Sequence, residues 1–306
     1  MSFKVLVSDP LEKEAVAAMR AAGLEVEVKT DLTPEALKKE IAGVEAIVVR
    51  SATKVRQEIL DAAPKLRLVV RAGVGLDNVD AEYAKMKGIA VRNTPGASTN
   101  SVAELALAHL LATARHVGRG TVTTKAGKWE KKALEGVEIE GKTLGIIGIG
   151  RIGQALARKA AALGMRVVAF DKFVDKSPLA KVVTLVSFEE LLGTSDFISL
   201  HIPFVAKEGA TIGEKEIALM KPGVRLVNCA RGGVVDEAAL GKALASGKVA
   251  AAGLDVFAKE PPDPASPLLA QENLSLTPHV GASTAEGQAR VGREAAEIVI
   301  EFAKAR

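Results

Sequence analysis

The chain alternates short apolar runs with longer stretches in which alanine and leucine recur among lysine and glutamate. The apolar runs read as strands at 3–7, 24–28, 45–49, 67–71 and 89–92, then at 143–147, 166–170, 196–200, 225–228, 250–255 and 274–277. In runs such as Ala46-Ile47-Val48-Val49, successive residues are apolar, so both faces of the strand are expected to be covered. Between them lie helical stretches at 11–22, 34–42, 79–87, 101–117, 151–163, 236–246 and 284–304, whose composition suits helices packed on a sheet. Strand–helix alternation of this kind predicts an α/β protein with doubly wound parallel sheets and helices on both faces.

Two punctuations divide the pattern. Asn93-Thr94-Pro95-Gly96-Ala97-Ser98 closes one run of strand–helix units, and Thr277-Pro278-His279-Val280-Gly281 precedes the last helix. Crossing twice predicts a discontinuous first domain, 1–97 with 282–306, into which a continuous domain, 98–281, is inserted. No fixed-period repeat or low-complexity segment interrupts this plan.

Composition narrows the function classes. At 306 residues, 48% hydrophobic and 25% charged, the chain has an ordinary globular balance, which excludes a disordered or collagen-like protein. The single cysteine, Cys229, excludes an intramolecular disulfide and a four-thiolate zinc site, and no metal is expected. Eight Phe, one Tyr and one Trp are too few for a base-stacking surface. The formal charge of +4 is scattered, and the doublets Lys38-Lys39 and Lys131-Lys132 sit among glutamates. This balance suits small anionic ligands and gives no reason to expect a nucleic-acid partner. No apolar run approaches the roughly 18 residues of a membrane helix, and the first residues read as a strand. The expectation is a cytoplasmic protein with no membrane partner.

The first chemical signal is Gly148-x-Gly150-x-x-Gly153, which follows an apolar strand and opens an alanine-rich helix. In a dinucleotide site the first glycine permits a tight turn, the second lets the backbone approach a pyrophosphate, and the third lets helix and strand pack closely. The next strand, Val167-Val168-Ala169-Phe170, ends on Asp171. A carboxylate there accepts hydrogen bonds from ribose hydroxyls and repels a 2′-phosphate, so NAD is the expected cofactor. A strand-end cap is the other reading of Asp171.

Three further motifs follow: Val227-Asn228-Cys229-Ala230-Arg231-Gly232-Gly233, Gly253-Leu254-Asp255-Val256-Phe257-Ala258-Lys259-Glu260-Pro261, and Thr277-Pro278-His279-Val280-Gly281-Ala282-Ser283-Thr284. If their strands belong to the same parallel sheet, the C-terminal ends bring arginine, glutamate and histidine to the edge that carries the glycine loop. With Val49-Arg50-Ser51-Ala52-Thr53-Lys54-Val55, Arg71-Ala72-Gly73-Val74-Gly75-Leu76-Asp77-Asn78-Val79-Asp80 and Gly127-Lys128-Trp129-Glu130, they make the chain resemble the D-isomer-specific 2-hydroxyacid dehydrogenase family over essentially its whole length.

The resemblance implies a Rossmann NAD-binding domain inserted into a flavodoxin-like substrate domain. It implies that Arg231 holds the substrate carboxylate, that His279 exchanges a proton with the C2 hydroxyl, and that Glu260 orients the imidazole and stabilises its protonated form. It places Arg151, Ile152, Ile202, Cys229, Ala230, Asp255, Gly281 and Ala282 beside the cofactor with the glycine loop and Asp171. Arg50, Lys54, Arg71, Gly73, Val74, Gly75 and Ser98 fall at the substrate. Val74 and Ile202 stand where the family often has threonine, and Ser98 where it often has asparagine. His109 and His116 read as packing or surface histidines, and His201 as structural.

Within the family, Arg50 and Arg71 point to a phosphorylated substrate, 3-phosphoglycerate, oxidised to 3-phosphohydroxypyruvate at the start of serine synthesis. A glyoxylate/hydroxypyruvate reductase or another D-2-hydroxyacid dehydrogenase is the alternative on the same scaffold. An NAD-sensing, corepressor-like binding protein is the alternative outside catalysis. The resemblance also implies a homodimer built around helix 101–117 and the segment of Trp129. The chain stops after its closing helix, so no serine-sensing regulatory domain is expected within it.

Overall fold

The computed structural model describes residues 3–305. The chain divides into two compact units, Met1–Thr99 with Ala282–Arg306, and Asn100–Gly281.

The first unit holds strands β1 (Lys4–Val7), β2 (Glu25–Val28), β3 (Ala46–Val49), β4 (Leu68–Arg71) and β5 (Ala90–Asn93), all parallel, in the order β2-β1-β3-β4-β5. Alternate residues of these strands enter two separate cores. Val5, Val7, Ala46, Val48, Leu68 and Val70 face helices α1 (Lys13–Ala21) and α11 (Ala285–Lys304). Leu6, Ile47, Val49 and Val69 face α2 (Pro34–Ile41), α3 (Gln57–Asp61) and α4 (Ala81–Met86). Covering both faces is why the strands lack polar alternation. The closing helix is bound to this unit by Arg290, whose Nε donates to the Ala97 carbonyl at 2.8 Å.

The second unit holds β6 (Thr143–Ile147), β7 (Arg166–Phe170), β8 (Val183–Leu185), β9 (Phe197–Leu200), β10 (Val224–Asn228), β11 (Val249–Leu254) and β12 (Leu274–Leu276). Its parallel order is β12-β11-β10-β9-β6-β7-β8, so direction of travel reverses between β6 and β9. One face packs α5 (Thr99–Arg115) and α7 (Arg151–Ala162). The other packs α8 (Phe188–Thr194), α9 (Glu214–Leu219) and α10 (Glu237–Ala245). In open parallel sheets, ligands bind beyond the strand C-termini where the order reverses.

The helix expected at 101–117 is α5, which is followed by a second helix that was not expected. Helix α5 stops at Arg115, His116 takes the left-handed conformation at φ 54°, and α6 (Val117–Lys125) begins anew. Gly118 then runs so close to β12 that an added Cβ would lie 3.0 Å from the Leu274 carbonyl oxygen. Two glycines and several β-branched residues make α6 a poor helix by propensity, and its position against β12 is a tertiary effect. Strand β8 and helices α3, α8 and α9 were also absent from the expected elements. Each has seven residues or fewer, too short for a period to show. Among the described residues no helix is long and apolar enough to cross a membrane, and no cluster of His, Cys, Asp or Glu could hold a metal ion.

Candidate active site

Each of the three loop glycines meets a different environment. Gly148 has φ 94°, and a Cβ there would lie 2.6 Å from the His201 carbonyl oxygen and 2.7 Å from an Ile202 methyl. A Cβ on Gly153 would lie 2.2 Å from the Gly148 carbonyl oxygen, so the first turn of α7 rests directly on the loop. Gly150, the residue that caps α7, has an ordinary φ of −66°, and no described atom comes within 4 Å of its built Cβ. The chain itself therefore requires Gly148 and Gly153. The space at Gly150 is the cradle that a closely approaching pyrophosphate fits, at the positive end of a 12-residue helix with no acidic residue in its first turn.

Asp171 serves this loop. Its Oδ2 accepts from the Ile149 N–H and its Oδ1 from the Phe173 N–H, both at 2.9 Å. A carboxylate oxygen accepts more than one hydrogen bond, so the strand-end cap and the ribose partner are compatible roles. Just past β9, Nε2 of His201 pairs with Ser199 Oγ at 2.9 Å, and Nδ1 is buried with no hydrogen-bond partner among the described residues. Burial pushes the His201 imidazole down to about 4.

Arg231 sits on a turn built by Asn228. The buried Asn228 amide accepts from the Ala230 N–H at 3.0 Å and donates to the Arg231 carbonyl at 2.9 Å. Gly232 follows because a Cβ there would lie 1.8 Å from the Phe257 carbonyl oxygen, which packs the arginine turn on the loop leading to Glu260. Glu260 accepts from the Phe257 N–H at 3.1 Å through Oε1, and its Oε2 lies 2.7 Å from His279 Nδ1. The structure thus brings the arginine turn, the glutamate and the histidine to neighbouring strand ends of one sheet.

His279 is one of three described non-glycine residues with positive φ, at 54°. Such a conformation costs of order 1–3 kcal/mol and persists where the surroundings enforce it. Asp255, 1% exposed, does so. Its carbonyl accepts from the His279 N–H at 2.8 Å, Oδ1 accepts from Val280 N–H at 2.8 Å and the Thr277 hydroxyl at 2.6 Å, and Oδ2 accepts from Gly281 N–H at 2.8 Å. Expected beside the cofactor, Asp255 also holds the turn that presents His279. Burial, and secondarily Asp255, pushes the Cys229 thiol up, which keeps it protonated and unreactive. A recess of about 430 Å³ lies beside Glu260 and His279, walled mostly by Phe257, Pro261, Pro262, Leu269 and Leu276.

In the first unit the reversal of strand order lies between β1 and β3, where Asp9 and Arg50 stand. The buried Asp9 carboxylate accepts from the N–H groups of Arg50 and Thr53 and from the Thr53 hydroxyl. From the other side, Asn78 Nδ2 donates to the Arg50 and Thr53 carbonyls, at 2.7 and 2.6 Å. Arg50 and Thr53 are thereby each held at both N–H and carbonyl, and Lys54 follows directly. Arg71 ends β4 and folds over the next turn: a Cβ on Gly73, at φ 149°, would lie 1.6 Å from Arg71 Nη1. Ser98, expected at the substrate, is 2% exposed.

Sequence reasoning assigned no role to Asp9, Asn78 or Asn228. Each is a polar residue within two positions of a strand end or inside a glycine-rich turn, where unpaired backbone groups need partners. That signal was available for Asp9, two residues past an apolar strand.

The sequence profile of the family described as "D-isomer specific 2-hydroxyacid dehydrogenase, NAD binding domain" matches residues 107–281. The chain is 49% identical over 303 residues to a D-3-phosphoglycerate dehydrogenase of Archaeoglobus fulgidus, covering 99% of this chain and 58% of that protein. It is 50% identical over 302 residues to a hydroxypyruvate reductase of Thermotoga maritima, covering 98% of both. The solved structure of the TT0316 protein from Thermus thermophilus superposes with a TM-score of 0.90 at 38% identity, covering 99% of this chain and 98% of that one. The chain spans little more than half of the first relative and nearly all of the second. With its two doubly wound sheets, its glycine loop and these matches, the chain belongs to the D-isomer-specific 2-hydroxyacid dehydrogenase family.

Proposed function

We propose that the protein is an NAD-dependent dehydrogenase that oxidises 3-phospho-D-glycerate to 3-phosphohydroxypyruvate. The observation that carries catalysis is the 2.7 Å contact between Glu260 and His279. A carboxylate accepts only, so Nδ1 carries a hydrogen and Nε2 has the lone pair that takes the proton of the C2 hydroxyl. Arg231 holds the substrate carboxylate through its planar fork of donors. Bound NAD supplies the hydride acceptor. Asp171, with the glycine loop, would hold the adenosine end and disfavour a 2′-phosphate.

Arg50, Lys54 and Arg71 are the cations assigned to the substrate phosphate. What supports this is the rigid presentation of Arg50–Lys54 by Asp9 and Asn78 at the strand-order reversal. The similarity to the full-length Thermotoga hydroxypyruvate reductase favours a second reading, reduction of hydroxypyruvate or glyoxylate on the same residues. A pure NAD-sensing binder would have no use for the Glu260–His279 pair. Initial rates with 3-phosphoglycerate, D-glycerate, hydroxypyruvate, glyoxylate and D-lactate separate these readings. Turnover highest with phosphoglycerate supports the first, turnover highest with hydroxypyruvate or glyoxylate the second, and none with any substrate the binder.

We also assign the exposed Val117, Val122 and Trp129, on and just after α6, to the contact with a second copy of the chain. Light scattering at micromolar concentration should give twice the chain mass, and a monomer would reject this assignment.

A further inference from the structure

Helix α5 buries a histidine that the proposed reaction does not use. His109 is 2% exposed, and both ring nitrogens are engaged: Nδ1 with Ser275 Oγ at 3.0 Å and Nε2 with Thr277 Oγ1 at 2.9 Å. Room for the ring is made by Gly253 on β11, where a Cβ would lie 2.6 Å from His109 Cβ and 3.0 Å from Cγ. A histidine that serves only as packing needs neither two polar partners nor a glycine cut to its shape.

The partners determine where the hydrogens lie. The Asp255 carboxylate already accepts the Val280 and Gly281 N–H groups, so toward the Thr277 hydroxyl, 2.6 Å away, it is also the acceptor. Thr277 has one hydroxyl hydrogen and gives it to Asp255, so it accepts from His109 Nε2–H. A neutral imidazole then has Nδ1 as acceptor, and Ser275 donates to it. Burial favours that neutral ring, against a smaller opposing pull from Asp255. The result is one directed chain of hydrogen bonds, Ser275 to His109, His109 to Thr277 and Thr277 to Asp255, ending on a residue that accepts the N–H groups of His279, Val280 and Gly281. Bonds polarised in one direction strengthen one another.

We propose that His109 is a positioning residue for His279, acting as the Nε2–H tautomer that orients the Thr277 hydroxyl onto Asp255 and so holds the left-handed turn presenting the imidazole. The chain runs from the body of α5 to the strand end, so the turn is referenced to a helix in the core. This inference rests on His279 as the acid/base, and the test separates the two.

The variants are Thr277→Val, which removes one hydroxyl at nearly constant shape, His109→Leu, which removes both ring bonds, and His109→Gln, whose amide returns a donor near the Nε2 position. Misplacing a reacting group by about 1 Å can cost about 10²-fold in rate. Thr277→Val and His109→Leu should therefore lower kcat about 10- to 100-fold, with the Kd for NAD within about threefold of wild type. His109→Gln should recover a substantial part of the loss, and adding Thr277→Val to His109→Leu should cost little more, since both break one link. If His109→Leu does not fold, Thr277→Val and His109→Gln decide. Unchanged kcat in the folded variants overturns the proposal. So does a parallel fall of kcat, NAD affinity and melting temperature without rescue by glutamine, the pattern of a merely structural residue. His279→Asn is assayed beside them: full activity there removes the acid/base assignment itself, whereas its loss with normal Thr277→Val and His109→Leu removes only the role of His109.

Discussion

Nδ1 of His279 lies 2.7 Å from Oε2 of Glu260, and Oε1 of the same carboxylate accepts the Phe257 N–H at 3.1 Å. The glutamate is thus anchored at one oxygen and orients the imidazole with the other. His279→Asn should lower kcat by roughly 10²–10⁴, the usual worth of a positioned acid/base, while NAD binding stays near wild type. Glu260→Gln should fall between that variant and the wild type, because the imidazole remains but its tautomer is no longer imposed. Steady-state kinetics with a separate fluorescence titration of NADH check both, and near-normal turnover of His279→Asn would contradict the assignment.

The glycines of the loop should respond differently to alanine. Gly148→Ala places a Cβ 2.6 Å from a backbone oxygen at φ 94°, and Gly153→Ala places one 2.2 Å from another. Both should lower the melting temperature, Gly153→Ala through the clash and Gly148→Ala through the clash together with a left-handed residue that costs about 1–2 kcal/mol. Gly150→Ala meets no described atom at an ordinary φ, so the fold should keep its stability. Its cost should appear in NAD affinity, weakened about tenfold or more, which is about 1.4 kcal/mol. Thermal melts and NADH titration test the contrast, and unchanged affinity in Gly150→Ala would show that no ligand occupies that cradle.

Acid should weaken the protein partly through His201. Its folded value is pushed down to about 4 from an ordinary value of about 6.5, so the unfolded chain binds the proton more readily. The neutral ring's contribution is fully present above about 6.5 and is lost as pH falls from there toward 4. Between pH 7.5 and pH 5 that amounts to about 2 kcal/mol. Denaturant unfolding of the apo protein at the two pH values should show a larger drop in wild type than in His201→Gln. Equal drops would mean that the imidazole is solvated in the folded state.

Much of the architecture was legible because buried parallel strands must be apolar on both faces. Ala46–Val49 and Thr143–Ile147 show it; Asp171 stood out because it closes such a strand, and His279 because it sits between a proline turn and a helix start. The role of His109 was not legible. A histidine among small apolar residues has the same local pattern whether it packs inertly or bonds at both nitrogens, and its partners lie 166 and 168 positions away. Asp255 was legible as a site residue, but its grip on the backbone of residues 279–281 depends on how β11 and the segment after β12 lie together. Helix α6 escaped because its propensity is poor and packing against β12 decides its course.

The substrate claim is tested most directly by measuring NADH formation from 3-phosphoglycerate and from D-glycerate in wild type, Arg50→Ala and Arg71→Ala. Phosphate contacts far from the reacting carbon act in ground and transition states alike, so their loss appears mainly in KM. Charged hydrogen bonds contribute roughly 1.5–3 kcal/mol each, which is about a 10- to 150-fold rise in KM. That rise is expected for phosphoglycerate, with D-glycerate kinetics nearly unchanged in both variants. Equal losses on the two substrates, or wild-type turnover that favours the unphosphorylated acid, would contradict the substrate claim.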